Sequence, residues 1–225
     1  MQLTDLSLRT LRSSEDLFVD QLFSPVVGLG SLLLSAKFPR SFIDLNRDCE
    51  ELDPLLIEDL IAYKDTLKVS AGLGVIPRVV ADQRPIYNHR LSIDDANERL
   101  QGFYFPYHNK LKSLIKQTEA LFKKVILLDC HSMPLSSVNL ANKKDPVEVV
   151  LGDCFGRSCE HEIIVELKTL LTEVGFKVSI NNPFAGGFIT KHYASPQNNI
   201  NVVQIEILRS LYSYEKHIIL SNHFM

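Results

Sequence analysis

The sequence predicts an α/β fold in which a mixed, mostly parallel sheet is covered by helices on both faces. Short, dense apolar runs at residues 125–128, 147–151, 177–180 and 202–207 read as buried strands. Amphipathic stretches lie between them, above all residues 160–174, which close on Gly175. A chain of 225 residues at 45% hydrophobic content can bury one such core, so residues 1–225 are read as a single domain.

The remaining elements follow in order. Ser13 stands three residues before Asp16, an N-cap pattern that predicts a short helix over residues 13–23. Gly28 to Gly30 turns the chain into the apolar run 31–38, expected to be a buried strand. A helix is expected to start near Asp53-Pro54, and residues 72–81, containing Pro77, read as a short β segment. Residues 92–123 form the longest helical stretch, with interruptions expected at Gly102 and Pro106. Its second half sets Leu111, Leu114, Ile115, Leu121 and Phe122 at helical spacing. A helix is also expected soon after residue 207.

Composition excludes several classes of function. A net charge of −3 with scattered basic residues gives no stripe for a phosphate backbone, so no nucleic-acid partner is expected. No apolar run approaches the roughly 20 residues that cross a bilayer, and the polar start does not read as a signal peptide. The four cysteines are expected to be free thiols, and the protein cytoplasmic. Neither G-x-G-x-x-G nor a P-loop is present.

In α/β sheets, sites lie beyond the carboxyl ends of strands, and there the sequence concentrates its chemistry. The run 127–134 carries a core strand into Asp129, Cys130 and His131 before breaking at Pro134. A histidine there either reaches a cleft as a metal ligand, with Asp129 to orient it, or simply caps the strand turn. In 202–207, Gln204 and Glu206 share one strand face and Val203, Ile205 and Ile207 the other. A carboxylate among such neighbours is either an outward group on an edge strand or a buried base, since burial raises a carboxyl's pKa toward neutrality and so suits it to proton transfer. Segment 38–47 follows an apolar run with Arg40, Asn46 and Arg47. The arginines' planar forks suit a substrate carboxylate, or they pair with Glu50, Glu51 or Asp53 at the surface. Segment 182–190 holds Gly186-Gly187, where the backbone can approach closely, either to present amides to a substrate or as a plain turn.

In order along the chain stand E-D-L-F-V-D (15–20), F-P-R…D-L-N-R (38–47), E-L-D-P (51–54), G-V-I-P-R (74–78) and Y-F-P-Y-H-N-K-L (104–111). L-D-C-H-S-M-P (128–134), V-L-G-D-C-F-G (150–156), N-P-F-A-G-G-F-I-T-K-H-Y (182–193) and Q-I-E-I (204–207) follow. This series, over about residues 13–215, resembles the N-formylglutamate amidohydrolase family. The resemblance implies a three-layer α/β/α sandwich of the zinc carboxypeptidase and aspartoacylase kind. It implies hydrolysis of a small N-acyl amino acid, N-formyl-L-glutamate to formate and glutamate, a step in histidine breakdown. By the same resemblance His131 is a zinc ligand and Glu206 the base that activates water and then protonates the leaving amine. Arg40 would polarise the scissile carbonyl, with Asn46 and Arg47 on the substrate carboxylate. Asp16 is the implied acidic ligand, with Asp20 as competitor, and Arg78, Tyr87 and His108 are placed in the pocket.

The sequence also departs from the family. The family's P-H-S-G motif, at the end of an early strand, is expected upstream of the acidic helix, and residues 1–12 hold no histidine. That leaves His131 and one carboxylate where catalytic zinc takes three protein ligands. His89, His108, His161, His192, His217 and His223 sit in no motif that predicts a zinc role. After Q-I-E-I the family's Asn-Arg is here Leu208-Arg209. The alternative expectation is therefore a catalytically impaired member that keeps the fold and an anionic-ligand clamp. A sheet lacking its first strand would also expose an edge and favour self-association.

Overall fold

The computed structural model describes residues 4–80, 83–138, 146–214 and 218–221; His217 and His223 lie outside the described residues. The chain runs through α1 (Leu8–Arg12), α2 (Val19–Phe23) and α3 (Leu67–Ser70). Helix α4 (Ile93–Arg99) continues through one π-helical turn, Leu100–Tyr104, into α5 (Phe105–Phe122). Then come β1 (Val125–Met133), β2 (Val149–Gly152), α6 (His161–Glu173), β3 (Val178–Ile180), α7 (Phe188–Tyr193) and β4 (Ile200–Leu208), with the hairpin β5 (Ser213–Tyr214) and β6 (Ile219–Leu220) last.

Contacts divide the chain into two compact units. The first comprises Met1–Glu15 and Leu34–Leu114, the second Asp16–Leu33 and Ile115–Met225. The second unit holds the sheet, in the order β1-β4-β2-β3. Strands β1 and β4 are parallel, as are β2 and β3, and β2 meets β4 antiparallel. This is the expected α/β architecture with a mixed, mostly parallel sheet. On one face, Val149, Leu151, Val203 and Ile205 pack against Ile163, Ile164 and Leu167 of α6. That helix ends as expected, with Gly175 at φ 100° just past it. The other face carries Met133, Val150 and Leu208, and α7 lies on that side of β4.

The first unit is built largely of turns around Ile43, Leu56, Ile57, Val75, Ile76 and Leu91, all buried. Its backbone is stitched over distance, with the amide of Asp44 donating to Val75 O and that of Val75 to Glu51 O.

Several expected elements differ. Residues 31–38 form no strand; Leu32 and Leu33 are 61% and 38% exposed. An apolar run signals a preference for burial, but a strand also needs a ladder partner, and the described residues supply none there. Ser13 closes α1 by bonding Thr10 O rather than opening a helix, and α2 begins only after Phe18 at φ 63°. The Asp53-Pro54 segment is a turn in which Leu56 and Ile57 amides donate to Asp53 O. Within 72–80 only a single bridge, Val79 to Pro85, forms, and Ala81 lies outside the described residues. Of the two interruptions expected in 92–123, the one at Gly102 is present as the π turn Leu100–Tyr104, whereas the helix runs on through Pro106. A 3-10 turn, Arg209–Leu211, replaces the helix expected after β4. Segment 182–190, read as a loop, runs into α7.

Candidate active site

In the second unit β1 and β4 run side by side with Asp129 opposite Gln204 and His131 opposite Glu206. Directly paired residues of parallel strands point to one face, so these polar side chains form a row on the face opposite α6. All four are buried. Buried polar groups need partners, and here each has one.

His131 is held from both sides. Its Nδ1 lies 2.9 Å from Asp16 Oδ2 and its Nε2 2.9 Å from Asp129 Oδ1. Asp16 also accepts from the Ser132 amide at 2.8 Å, and Arg209 Nε donates to Ser132 Oγ at 3.0 Å. Asp20, by contrast, is exposed and accepts from the adjacent Gln21 amide. Burial alone would discourage charge on His131, but the Asp129 and Asp16 carboxylates outweigh it and raise its pKa well above the ordinary value. Next to it, burial pushes the Cys130 thiol up to about 12, with Asp129 and Asp16 adding to the effect, so it stays protonated. All four cysteines are free.

Glu206 Oε1 accepts from Gln204 Nε2 at 2.9 Å, and Gln204 Oε1 in turn accepts from the Gly187 amide at 2.7 Å. Asp129 receives a longer bond, 3.3 Å, from Thr190 Oγ1. The Gly186-Gly187 segment thus turns one amide inward to the strand row.

The first unit contains Arg40, Asn46, Arg47, Arg78, Tyr87 and His108. Arg40 Nε donates to buried Asp44 at 2.9 Å, and Arg47 Nε lies 3.7 Å from the same oxygen. Arg47 also donates to Leu73 O and Asn46 O, each at 3.0 Å. Burial works against the Asp44 charge, yet the Arg40 and Arg47 guanidiniums and the Asn46 amide hold its carboxyl below the usual value. Arg78 pairs with buried Asp53 at 2.8 Å. Tyr87 receives a hydrogen bond from Arg99, and His108 Nε2 lies 3.1 Å from Leu45 O. Both Arg40 and Arg47 thus meet Asp44, an acid not among the partners Glu50, Glu51 and Asp53 anticipated from the sequence.

Sequence reasoning assigned no role to Gln204, Thr190, Arg99 or Tyr104. Gln204 was accessible, since an i, i+2 step on a strand puts it on the face of Glu206. The others act across long separations. Arg99 donates to Phe42 O and Tyr104 to Arg47 O, each 57 residues distant.

His131 and Asp16, the two donors that the resemblance implies, are hydrogen-bonded to each other at 2.9 Å. Catalytic zinc takes three protein ligands, and among the described residues no group of three or more His, Cys, Asp and Glu side chains could hold a metal. The donor set therefore falls one short. No helix among the described residues is long and apolar enough to cross a membrane.

Comparison with known proteins agrees with the motif series. The N-formylglutamate deformylase of Pseudomonas putida is 28% identical over 203 residues, covering 89% of this chain and 71% of that protein. The N-formylglutamate deformylase of Pseudomonas aeruginosa is 26% identical over 204 residues, with the same coverage of 89% and 71%. The crystal structure of N-formylglutamate amidohydrolase from Ralstonia eutropha JMP134 superposes with a TM-score of 0.90 at 31% identity, over 98% of this chain and 81% of that one. A model of the N-formylglutamate amidohydrolase family matches residues 2–213, and the chain belongs to that family.

Proposed function

We propose that this protein hydrolyses the amide bond of an N-acylated acidic amino acid, N-formyl-L-glutamate to formate and L-glutamate. The observation that carries the reading is the pairing of His131 with Glu206 on one face of adjacent strands, both buried. Names borne by the two pseudomonad relatives specify the formyl substrate.

In this reading Glu206 is the base. Its carboxylate, fixed by Gln204, removes a proton from the water that attacks the formyl carbon, and then delivers it to the glutamate nitrogen as the C–N bond breaks. The bond formed is C–O and the bond broken C–N, so formate and a free amine result. Within the first unit, the Asp44-anchored guanidiniums of Arg40 and Arg47 are the natural holders of anionic groups: Arg40 for the polarised carbonyl, and Arg47 with Asn46 for the substrate carboxylate. Arg78, Tyr87 and His108 are proposed to shape the pocket. Zinc is the metal the family reading calls for, with His131 and Asp16 as its protein donors. Because the described donors fall one short, no step is assigned to the metal here.

The test pairs formate release from N-formylglutamate with zinc content per chain. Formate produced by wild type and lost in Glu206→Gln supports the reading. A folded sample that releases no formate, with or without added zinc, refutes it.

One observation favours a second reading, in which the chain is a catalytically impaired member that keeps an anionic-ligand clamp. Both ring nitrogens of His131 are already bonded to carboxylates. That reading requires glutamate or N-formylglutamate to raise Tm without turnover, and Arg47→Ala to abolish the rise.

A further inference from the structure

The groups placed at the reaction centre are Glu206 and His131, on different strands. Each has an intermediary: Gln204 for Glu206, Asp129 for His131. Both intermediaries are bonded to the same four-residue stretch. Gly187 donates its amide to Gln204 Oε1 at 2.7 Å, and Thr190, one turn further on, donates its hydroxyl to Asp129 Oδ2 at 3.3 Å. Thr190 is fully buried.

The stretch is itself fixed in place. The Cys154 amide donates to Ala185 O at 2.7 Å. Gly186 sits at φ +134°, and a Cβ there would lie 2.6 Å from Cys154 Sγ. A Cβ on Gly152, at the end of β2, would lie 2.7 Å from the Ala185 carbonyl carbon. Such close backbone approach leaves the turn little room to shift, and only glycine permits it at these positions.

We propose that the Gly187–Thr190 stretch is a common positioning element, which sets Glu206 through Gln204 and His131 through Asp129. Neither Gly187 nor Thr190 touches the reacting atoms; each acts through a neighbour. The stretch couples the two groups, so loosening it at one end disturbs both. This inference rests on the reading of Glu206 and His131 as the reactive pair, and its tests include two that need no activity.

The variants are Gln204→Met, which keeps the length but removes both polar partners, Thr190→Val, which removes the hydroxyl, and Thr190→Ser, which restores it. Hydrogen exchange at the Gly187 amide should accelerate about tenfold or more in Gln204→Met, while the amides of α6 keep their protection. Selective NMR of the His131 ring N–H groups should show a shifted Nε2–H signal in Thr190→Val and a wild-type signal in Thr190→Ser. The coupling predicts that Thr190→Val also accelerates exchange at Gly187. In formate release, Gln204→Met and Thr190→Val should each lower kcat about 10- to 100-fold with KM little changed, and Thr190→Ser should recover most of the loss. Unchanged Gly187 exchange in Gln204→Met, or an unchanged His131 signal in Thr190→Val, overturns the proposal. Exchange at Gly187 that ignores Thr190→Val overturns the common element and leaves two separate contacts. A wild type without formate release defeats the catalytic reading alone, because the exchange and NMR results still decide the positioning.

Discussion

The His131–Glu206 row in the second unit and the Arg40–Arg47 loop in the first hold charged groups by different means. In the row, strand register does the placing: parallel pairing sets His131 opposite Glu206, and short side-chain bonds tune what the ladder has already aligned. The loop has no ladder. Besides the Asp44 amide on Val75 O, its shape is kept by side chains from one helical run reaching its backbone carbonyls, Arg99 to Phe42 O, His108 to Leu45 O and Tyr104 to Arg47 O. Arg99 also stacks over Phe42, 4.4 Å from the ring centroid. Register is cooperative and resists single substitutions, whereas a braced loop depends on each brace. The row should therefore lose chemistry before stability, and the loop, apart from Arg40 on the proposed carbonyl, stability and ligand affinity before chemistry.

The largest expected effect is in the row. Glu206→Gln should lower kcat for formate release by about 10²- to 10⁴-fold, with an unchanged circular dichroism spectrum. Equal activity in the variant would remove Glu206 as base. Gly186→Ala comes next, since it combines a φ of +134° with a Cβ 2.6 Å from Cys154 Sγ. Strain of this kind costs about 1–3 kcal/mol, read as a lower midpoint in urea.

On the loop side, Asp44→Asn should cost about 2 kcal/mol in the same measurement, because buried Asp44 satisfies Arg40 and the Asn46 amide. It should leave the His131 ring signals unmoved. The sign of the pH dependence follows from the lowered Asp44 pKa. A carboxyl whose folded value lies below its ordinary 3.8 contributes stability that is present above 3.8 and fades as pH falls through the lower folded value. Wild type should thus lose stability on that acid limb, and Asp44→Asn should show a shallower one. The smallest effect is expected for Tyr104→Phe, which deletes the bond to Arg47 O. About 1 kcal/mol of stability should go, with KM rising and kcat nearly constant. A fall in kcat with KM unchanged would contradict the division between row and loop.

Sheet and helices were legible where local pattern suffices. Dense apolar runs at 125–128, 147–151, 177–180 and 202–207 became β1 to β4, because continuous hydrophobic strands belong in a sheet covered on both faces. Residues 160–174 became α6 for the same reason at helical period. The run 31–38 failed because hydrophobicity carries no information about a ladder partner, and Ser13 failed because a capping pattern can equally close the preceding helix. At the candidate site, Glu206 stood out as a carboxylate inside an apolar strand and His131 as a histidine at the end of a core apolar run, and Gln204 was visible beside Glu206 by the two-residue period of a strand.

By itself, then, the sequence determined the four strands of the main sheet, helix α6, the long helical run before β1, and the family. These follow from periodicity, turn chemistry and motif order, all of which are local. Tertiary structure alone decided that Asp16 reaches His131 across 115 residues, that Tyr104 reaches Arg47 O across 57, and that Gly187 and Thr190 bond to two neighbouring strands at once. Hydrogen-bond partners far apart in the chain are chosen by which donors and acceptors folding leaves buried together, and no local pattern records that choice.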